Sequence, residues 1–201
     1  MNKPAWSIII VLFSTLNFYT AKSQENGDFA NMNCVKEGTI LVDAFYGWPN
    51  FNALLLRSVI GNTNLKFRNT NHIGLKAEYM ISDNISLGGE FSYADAAIQY
   101  QTSTSGRFAE AGITKYRIVG RFNYHFKTTK DLDPYFSVGT GYKKTVYYDT
   151  GNSNYRESFN LFPVSFKLAI GLRYFFNDLV GMHTEIGIGG PLIHAGLCVK
   201  L

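Results

Sequence analysis

The residues best suited to chemistry lie near the C-terminus. His183 and Glu185 occupy alternate positions of one segment, and His194 falls in the next segment. Imidazole and carboxylate groups spaced in this way could bind a metal ion or exchange a proton. The chain has no cysteine or further carboxylate at the spacing that zinc sites use. We therefore predict no metal site and no cofactor.

A second set of reactive side chains comes from the middle of the chain. His72, Ser92 and Asp95 would approach one another if two neighbouring segments form adjacent strands. A serine nucleophile needs a base within hydrogen-bonding distance, and proximity alone suggests one here. The sequence contains no His-x-Ser pair. We therefore predict that the chain is not an enzyme, and we keep acyl transfer or hydrolysis as a third hypothesis.

Charged residues recur on one face of segments in which apolar and polar residues alternate. A three-residue turn at 82–84 would set Lys76 opposite Glu90. A two-residue turn at 189–190 would set Glu185 opposite His194. Enclosed charges must pair, because burying an unpaired charge is costly. We favour a salt-bridged plug over a gated pore or a proton path. The predicted set is Asp43, Lys76, Glu78, Glu90, Arg117, Arg121, Lys143, Lys167, Arg173, Glu185 and His194.

The elements that must position these charges are strands. A period of two, which marks a strand with two different faces, fills the chain after Glu37. We interpret it as strands at residues 38–48, 72–81, 85–96, 114–126, 135–148, 161–176, 180–188 and 192–201. The polar faces hold mainly Gly, Ser and Ala with scattered charges, which suits a narrow lumen, and the broad apolar faces suit lipid. We predict an all-β fold: a closed, antiparallel, eight-stranded transmembrane β-barrel with up-and-down topology.

The connections alternate in length. Residues 82–84, 128–134 and 177–179 are short, and residues 49–71, 97–113 and 149–160 are long, as periplasmic turns and outer loops are in such barrels. Aromatic residues gather near the predicted strand ends, with Tyr93 and Tyr116 at the outer edge and Tyr135 and Phe176 at the inner edge, which predicts two interfacial girdles. Apolar spacings of three and four in the first long connection indicate either a short amphipathic helix lying on the membrane or a loop that folds over the barrel mouth.

The N-terminus is typical of an exported protein. Lys3 precedes an apolar stretch that begins at Ile8 and fades by Tyr19, and Ala21 and Ser23 are small. Signal peptides have this pattern, and the stretch is too short to span a membrane. We predict a cleaved signal peptide at 1–23, a periplasmic segment at 24–37 and the barrel domain at 38–201. The formal net charge of +4 is too small to favour nucleic acid as a partner.

Two cysteines permit one disulfide in an oxidising compartment. Cys34 precedes the first predicted strand and Cys198 lies near the end of the last, and these strands are neighbours when a barrel closes. Both residues would then lie at the periplasmic rim, where a disulfide could attach the N-terminal segment to the barrel.

Four segments carry a resemblance to a known group: GLKAEYM at 74–80, RFNYHF at 121–126, GLRYFF at 171–176 and EIGIGGPL at 185–192. They resemble small outer-membrane β-barrel proteins of Bacteroidetes-type bacteria and, more distantly, OmpA-, OmpX- and OmpW-like barrels. The resemblance covers residues 38–201 and implies contact with outer-membrane lipid, insertion by the barrel-assembly machinery and no catalytic residues. We expect a structural role, or binding of an extracellular ligand through the loops. The alternatives are a narrow channel for small solutes and a lipid A-modifying enzyme.

Overall fold

The structure is a computed structural model that describes residues 34–60, 65–101, 108–151, 155–158 and 162–201. The predicted signal peptide lies outside these residues. Within them the alternating sequence forms strands, and the first long connection forms one helix. The strands are β1 (Ile40–Trp48), β2 (Lys66–Ser82), β3 (Ile85–Gln101), β4 (Phe108–His125), β5 (Leu132–Asp149), β6 (Tyr155–Ser158), β7 (Val164–Phe175), β8 (Val180–Ile188) and β9 (Ile193–Lys200), and the helix is α1 (Phe51–Ile60).

The strands close into a barrel. Apart from β6, each strand pairs antiparallel with the next, and β1 pairs with β9 from Leu41 opposite Lys200 to Trp48 opposite Ile193. Strands β1–β5 and β7–β9 therefore form the predicted closed barrel of eight antiparallel strands. The short strand β6, which the sequence did not predict, pairs with the end of β5 and extends the wall there.

Apolar side chains point out of the barrel and polar ones point into it. Along β7 every second residue is buried, and the buried set includes Ser165, Lys167 and Arg173. In the other set, Phe166 and Ile170 keep 70% and 67% of their surface exposed, whereas Arg173 keeps 0%. A barrel in water would have the opposite arrangement, so this distribution matches a wall that faces lipid.

Three strands are much longer than the sequence predicted. Strands β2, β3 and β4 contain 17, 17 and 18 residues, although about 10 residues cross a bilayer. The predicted limits at His72, Ala96 and Thr114 were therefore wrong at the end distant from the chain termini. Pairing continues to Gln101 opposite Phe108. The alternation of apolar residues stops where the wall leaves the lipid, but the backbone hydrogen bonds between the strands continue beyond that point. The sequence pattern therefore missed the extension.

Helix α1 follows β1 and packs against β3. Its Ala53 keeps 4% of its surface exposed, and the lumen-side residues Ala94 and Ala96 of β3 keep 1% and 0%. The Asn50 side chain anchors the start of the helix by donating hydrogen bonds of 3.1 Å to the carbonyl oxygens of Thr70 and Asp95. These contacts place α1 over the barrel mouth. No helix in the described part of the chain is long and apolar enough to cross a membrane.

Aromatic side chains pair at both ends of the wall. The rings of Tyr93 and Tyr116 lie 5.4 Å apart at one end, and those of Tyr174 and Phe176 lie 5.7 Å apart at the other. The sequence predicts Tyr135 in the inner girdle, and this prediction is wrong. The Tyr135 side chain is 0% exposed and points into the lumen, because it alternates with the inward residues Asp133 and Ser137.

Candidate functional site

The deeply buried charges of the barrel interior are acids and bases in equal number. Within the described residues, five carboxylates and five cationic side chains are buried in the lumen, and none keeps more than 6% of its surface exposed. The acids are Asp43, Glu78, Glu90, Asp133 and Glu185, and the bases are Lys76, Arg117, Arg121, Lys167 and Arg173. Charges this deeply buried are tolerated only when they are paired, and the equal numbers allow every charge to be compensated.

Arg173 organises the charges nearer the chain termini. Its Nη2 atom lies 2.9 Å from Asp43 Oδ2 and 2.8 Å from Glu78 Oε1, and its Nη1 atom lies 3.1 Å from Asp133 Oδ2. Its guanidinium also covers the ring of Tyr135, 4.3 Å from the centroid. One arginine on β7 thus connects β1, β2 and β5 across the lumen.

Glu90 and Glu185 form the centre of a second group. Glu90 accepts hydrogen bonds from Arg117 Nη1 at 3.0 Å, from Arg121 Nη1 at 2.6 Å and from Lys167 Nζ at 2.5 Å. Glu185 accepts one from Arg121 Nη2 at 2.7 Å and pairs with Lys167 as well. Arg121 and Lys167 therefore each bridge the two carboxylates, which would otherwise repel each other.

Lys76 joins the two groups. Its Nζ atom lies 3.1 Å from Asp43 Oδ2 and 3.5 Å from Glu185 Oε2. The hydroxyl of Tyr135 lies 3.3 Å from the same Nζ atom and donates to Glu185 Oε2 at 2.9 Å. The ten charges consequently form one continuous network through the barrel.

The structure brings together ten of the eleven residues that the sequence placed in the lumen network. Lys76 lies opposite Glu90 and Glu185 lies opposite His194 in the strand registers. His194 Nε2 is 2.9 Å from Glu185 Oε1. Lys143 is the exception: it lies opposite Arg117 and makes no ion pair within the described residues.

Sequence reasoning missed two members of the network, Asp133 and Tyr135. Asp133 Oδ1 lies 2.7 Å from Nδ1 of His125, and Tyr135 contacts both Lys76 and Glu185. The predicted turn ends at Pro134, so Asp133 lies outside the predicted strand. The signal was present, because Asp133, Tyr135 and Ser137 occupy alternate positions of the strand that continues toward 148.

The model of one protein family, described as "Outer membrane protein beta-barrel domain", matches residues 35–192. The chain belongs to this family. As an outer-membrane β-barrel protein it is placed in the outer membrane. A comparison with curated proteins finds no match.

Several solved structures are similar to this outer-membrane barrel. The N-terminal β-barrel domain of Pseudomonas aeruginosa OprF is 16% identical, with a TM-score of 0.47 over 83% of this chain and 100% of that one. Pseudomonas aeruginosa OprG is 10% identical, with a TM-score of 0.48 over 85% and 99%. Outer Membrane Protein W of E. coli is 17% identical, with a TM-score of 0.43 over 83% and 99%. These likenesses concern the fold alone.

One group of lumen residues in the outer-membrane barrel has the donor atoms of a metal site. Ligand atoms of Glu90, Glu185 and His194 lie within 4.8 Å of one another. Arg121 and Lys167 already contact both carboxylates. A metal cation would have to displace these two positive charges, so the geometry favours ion pairing. The absence of a metal site stays a prediction.

The residues considered for hydrolysis do not form a catalytic arrangement. Ser92 Oγ and His72 Nδ1 are buried and make no hydrogen bond among the described residues. Asp95 instead accepts a hydrogen bond of 2.8 Å from Thr114 and pairs with Arg68 at 3.1 Å. Asp95 is thus committed to neighbours other than His72.

Both cysteines are free thiols in the structure. They meet in one apolar cluster at the rim where the chain begins and ends, together with Val35, Leu41, Met80 and Phe175. Burial raises the pKa of the Cys34 thiol to about 12. The disulfide between Cys34 and Cys198 stays a prediction, and their shared cluster agrees with the predicted position at one rim.

Proposed function

We propose that this outer-membrane protein is a closed barrel that serves the envelope as a scaffold and binds extracellular ligands through its outer strands and loops, without catalysis and without solute passage. The observation that carries the proposal is the charge network. Its five acids and five bases cross the lumen and keep at most 6% of their surface exposed. The proposal includes export by a signal peptide cleaved after Ser23, and insertion by the barrel-assembly machinery.

The energetics of the network support a closed lumen. An eight-stranded barrel is only wide enough for side chains to fill its interior. Arg173 alone connects β7 to acids on β1, β2 and β5. Opening a path for solutes would separate several buried pairs, and removing one partner of a buried pair costs about 3–5 kcal/mol. A narrow channel is therefore the weaker hypothesis.

The outer end of the barrel supports a binding role. Short turns face the periplasm in this class of barrel, so the extended ends of β2–β5 project outside the cell. They form a paired wall that reaches Gln101 and Phe108, and α1 covers the mouth beside it. Such a wall offers rigid polar surface to a ligand, whereas the sealed lumen offers none.

Single-channel recording in planar bilayers tests the closed lumen. We expect no steady openings from the wild-type protein. The double variant Glu90→Ala/Arg121→Ala removes one charge of each sign and two long side chains from the centre, so steady openings should appear. Lys143→Ala is the control, because Lys143 lies opposite Arg117 and has no ion pair within the described residues. It should be as silent as the wild type, and steady wild-type conductance would contradict the proposal.

A further inference from the structure

The outward face of the wall changes character above the ring pair of Tyr93 and Tyr116. Below this pair the outward side chains are apolar, and Phe91 and Ile118 keep 43% and 60% of their surface exposed, as residues in contact with lipid do. Above it the same face of β3 and β4 carries Asp95 and Thr114, which are opposite each other in the register. The transition places the polar part at the height of the lipid headgroups, because tyrosines mark the membrane interface.

A cleft of ≈ 430 Å³ opens in this polar part of the outward face. It begins at the tyrosine pair and is closed on the far side by the ends of β4, β5 and β6. The polar side chains in it include Arg68, Asp95, Glu110, Thr114, Tyr148 and Arg156. We call it the outer-wall cleft. It opens sideways, toward the space that lipid headgroups fill, and not into the barrel mouth.

The cleft is held in shape by contacts among its own residues. Asp95 is 2% exposed, accepts a hydrogen bond of 2.8 Å from Thr114 Oγ1 and pairs with Arg68 Nη2 at 3.1 Å. The same Nη2 atom donates to the Tyr148 hydroxyl at 2.8 Å and to Glu110 at 3.3 Å. Within the described residues, Arg68 makes these contacts through Nη2 alone. The Nε–H and Nη1–H donors of Arg68 therefore remain for a ligand, each as a single hydrogen bond.

The charge of this face favours an anion that also carries hydroxyl groups. The outward positions hold four cations, Lys66, Arg68, Lys144 and Arg156, and two carboxylates, Asp95 and Glu110, which leaves two positive charges in excess. Guanidinium groups bind phosphate through paired hydrogen bonds. Carboxylates and tyrosine hydroxyls accept hydrogen bonds from sugar hydroxyls. A phosphorylated sugar would use both kinds of group at once.

We infer that the outer-wall cleft binds the phosphorylated saccharide headgroup of an outer-leaflet glycolipid. The sugar phosphate meets Arg68 and Arg156, the sugar hydroxyls meet Glu110 and Tyr148, and the acyl chains run down the apolar wall below Tyr93. The position favours a lipid over a soluble glycan, because the polar cleft and the lipid-facing wall are continuous. The inference rests on the outer-membrane placement and not on the closed lumen.

The test compares purified wild-type protein with Arg68→Gln/Arg156→Gln in nanodiscs that contain phosphatidylcholine and lipopolysaccharide. Lys127→Gln/Lys130→Gln removes two exposed cations at the opposite end of the barrel and is the matched control. Hydrogen bonds to charged groups contribute about 1.5–3 kcal/mol, so we expect the lipopolysaccharide affinity of the cleft variant to fall roughly 10- to 100-fold. The control should bind like the wild type. Native mass spectrometry counts the bound glycolipid.

Two further arms identify the ligand chemistry. Enzymatically dephosphorylated lipopolysaccharide should bind the wild type as weakly as intact lipopolysaccharide binds the cleft variant. Deacylated, soluble saccharide should compete poorly, and competition equal to that of the glycolipid would overturn the inference in favour of a soluble glycan. Equal binding by the cleft variant and the control would also overturn it.

Folding is checked separately. The gel mobility of unheated samples reports whether each variant forms the barrel. Lys144→Gln provides a second test, at an outward position next to the cleft residue Tyr116. Lys144 is exposed at the strand position opposite Tyr116, so its loss removes a positive charge with little effect on packing. It should lower lipopolysaccharide affinity in the same direction, and an unchanged affinity for this variant would count against the inference. The conductance test of the closed lumen does not depend on these binding results. A failure of the glycolipid inference is therefore distinguishable from a failure of the proposed function.

Discussion

At the scale of single residues, Arg173 shows how a charge can be buried without being costly. It is 0% exposed, contacts three carboxylates and covers the ring of Tyr135. Because Arg173 pairs with several acids rather than one, its positive charge is compensated by carboxylates on three strands. Removing this side chain would leave those carboxylates buried with too few positive charges.

We expect Arg173→Met to lower the free energy of unfolding by about 3–5 kcal/mol, the usual cost of removing one partner of a buried ion pair. Urea unfolding in lipid vesicles, followed by the gel mobility of unheated samples, measures the change. Lys143→Met is the control, because Lys143 faces the same lumen without an ion pair in the described part of the chain. Equal losses for both variants would show that pairing is not the source of the stability.

The sequence could predict which residues line the lumen, since parity within an alternating strand decides the face. It could also predict the registers around short turns, because a turn of known length sets Lys76 opposite Glu90. It could not predict the actual partners. Lys76 reaches Asp43 and Glu185, on β1 and β8, and those contacts depend on how long side chains cross a closed interior.

At the scale of elements, the outer ends of β2–β4 are where sequence reasoning was weakest. The pattern of lipid-facing residues reports the height of the membrane, and Asp95 and Thr114 lie above it. The helix α1 was easier to predict, since the spacing of its apolar residues is a local property of the sequence. Its position over the mouth was not predictable, because it depends on one asparagine that bonds to two neighbouring strands.

Asn50→Ala should loosen α1 from the barrel mouth. The Asn50 side chain donates to Thr70 and Asp95 carbonyl oxygens, and a buried group left unsatisfied costs about 1–3 kcal/mol. We expect trypsin to cut after the exposed Arg57 several times faster in folded protein, measured by mass spectrometry of the fragments. Asn52→Ala is the control, since the Asn52 side chain makes no hydrogen bond within the described residues. Equal cleavage rates would contradict this role of Asn50.

At the scale of the whole molecule, closure between β1 and β9 defines the barrel. The two strands pair over the full length of β9, and Gly196 lies within that seam. A Cβ atom at Gly196 would approach the Ala44 carbonyl oxygen to 1.9 Å and the Phe45 Cα atom to 2.7 Å. The seam therefore has no room for a side chain at this position.

Gly196→Ala should reduce the fraction of protein that forms a heat-modifiable barrel. The measurement is the fraction of fast-migrating protein in unheated samples after refolding into vesicles. Gly120→Ala is the matched control, because a Cβ atom there meets nothing closer than the Thr140 carbonyl oxygen at 3.7 Å. We expect it to refold like the wild type. Normal refolding of Gly196→Ala would contradict the tight seam.

The charge network also constrains the order of events during assembly. Arg173 meets Asp43 and Glu78 although 130 and 95 residues separate them along the chain. A partly wound sheet cannot make these contacts, so its lumen charges remain hydrated until the last strand docks. The transition from open to closed is then cooperative, since each pair forms only when the others can. Substitutions in the lumen would consequently be observed first as slow or failed insertion.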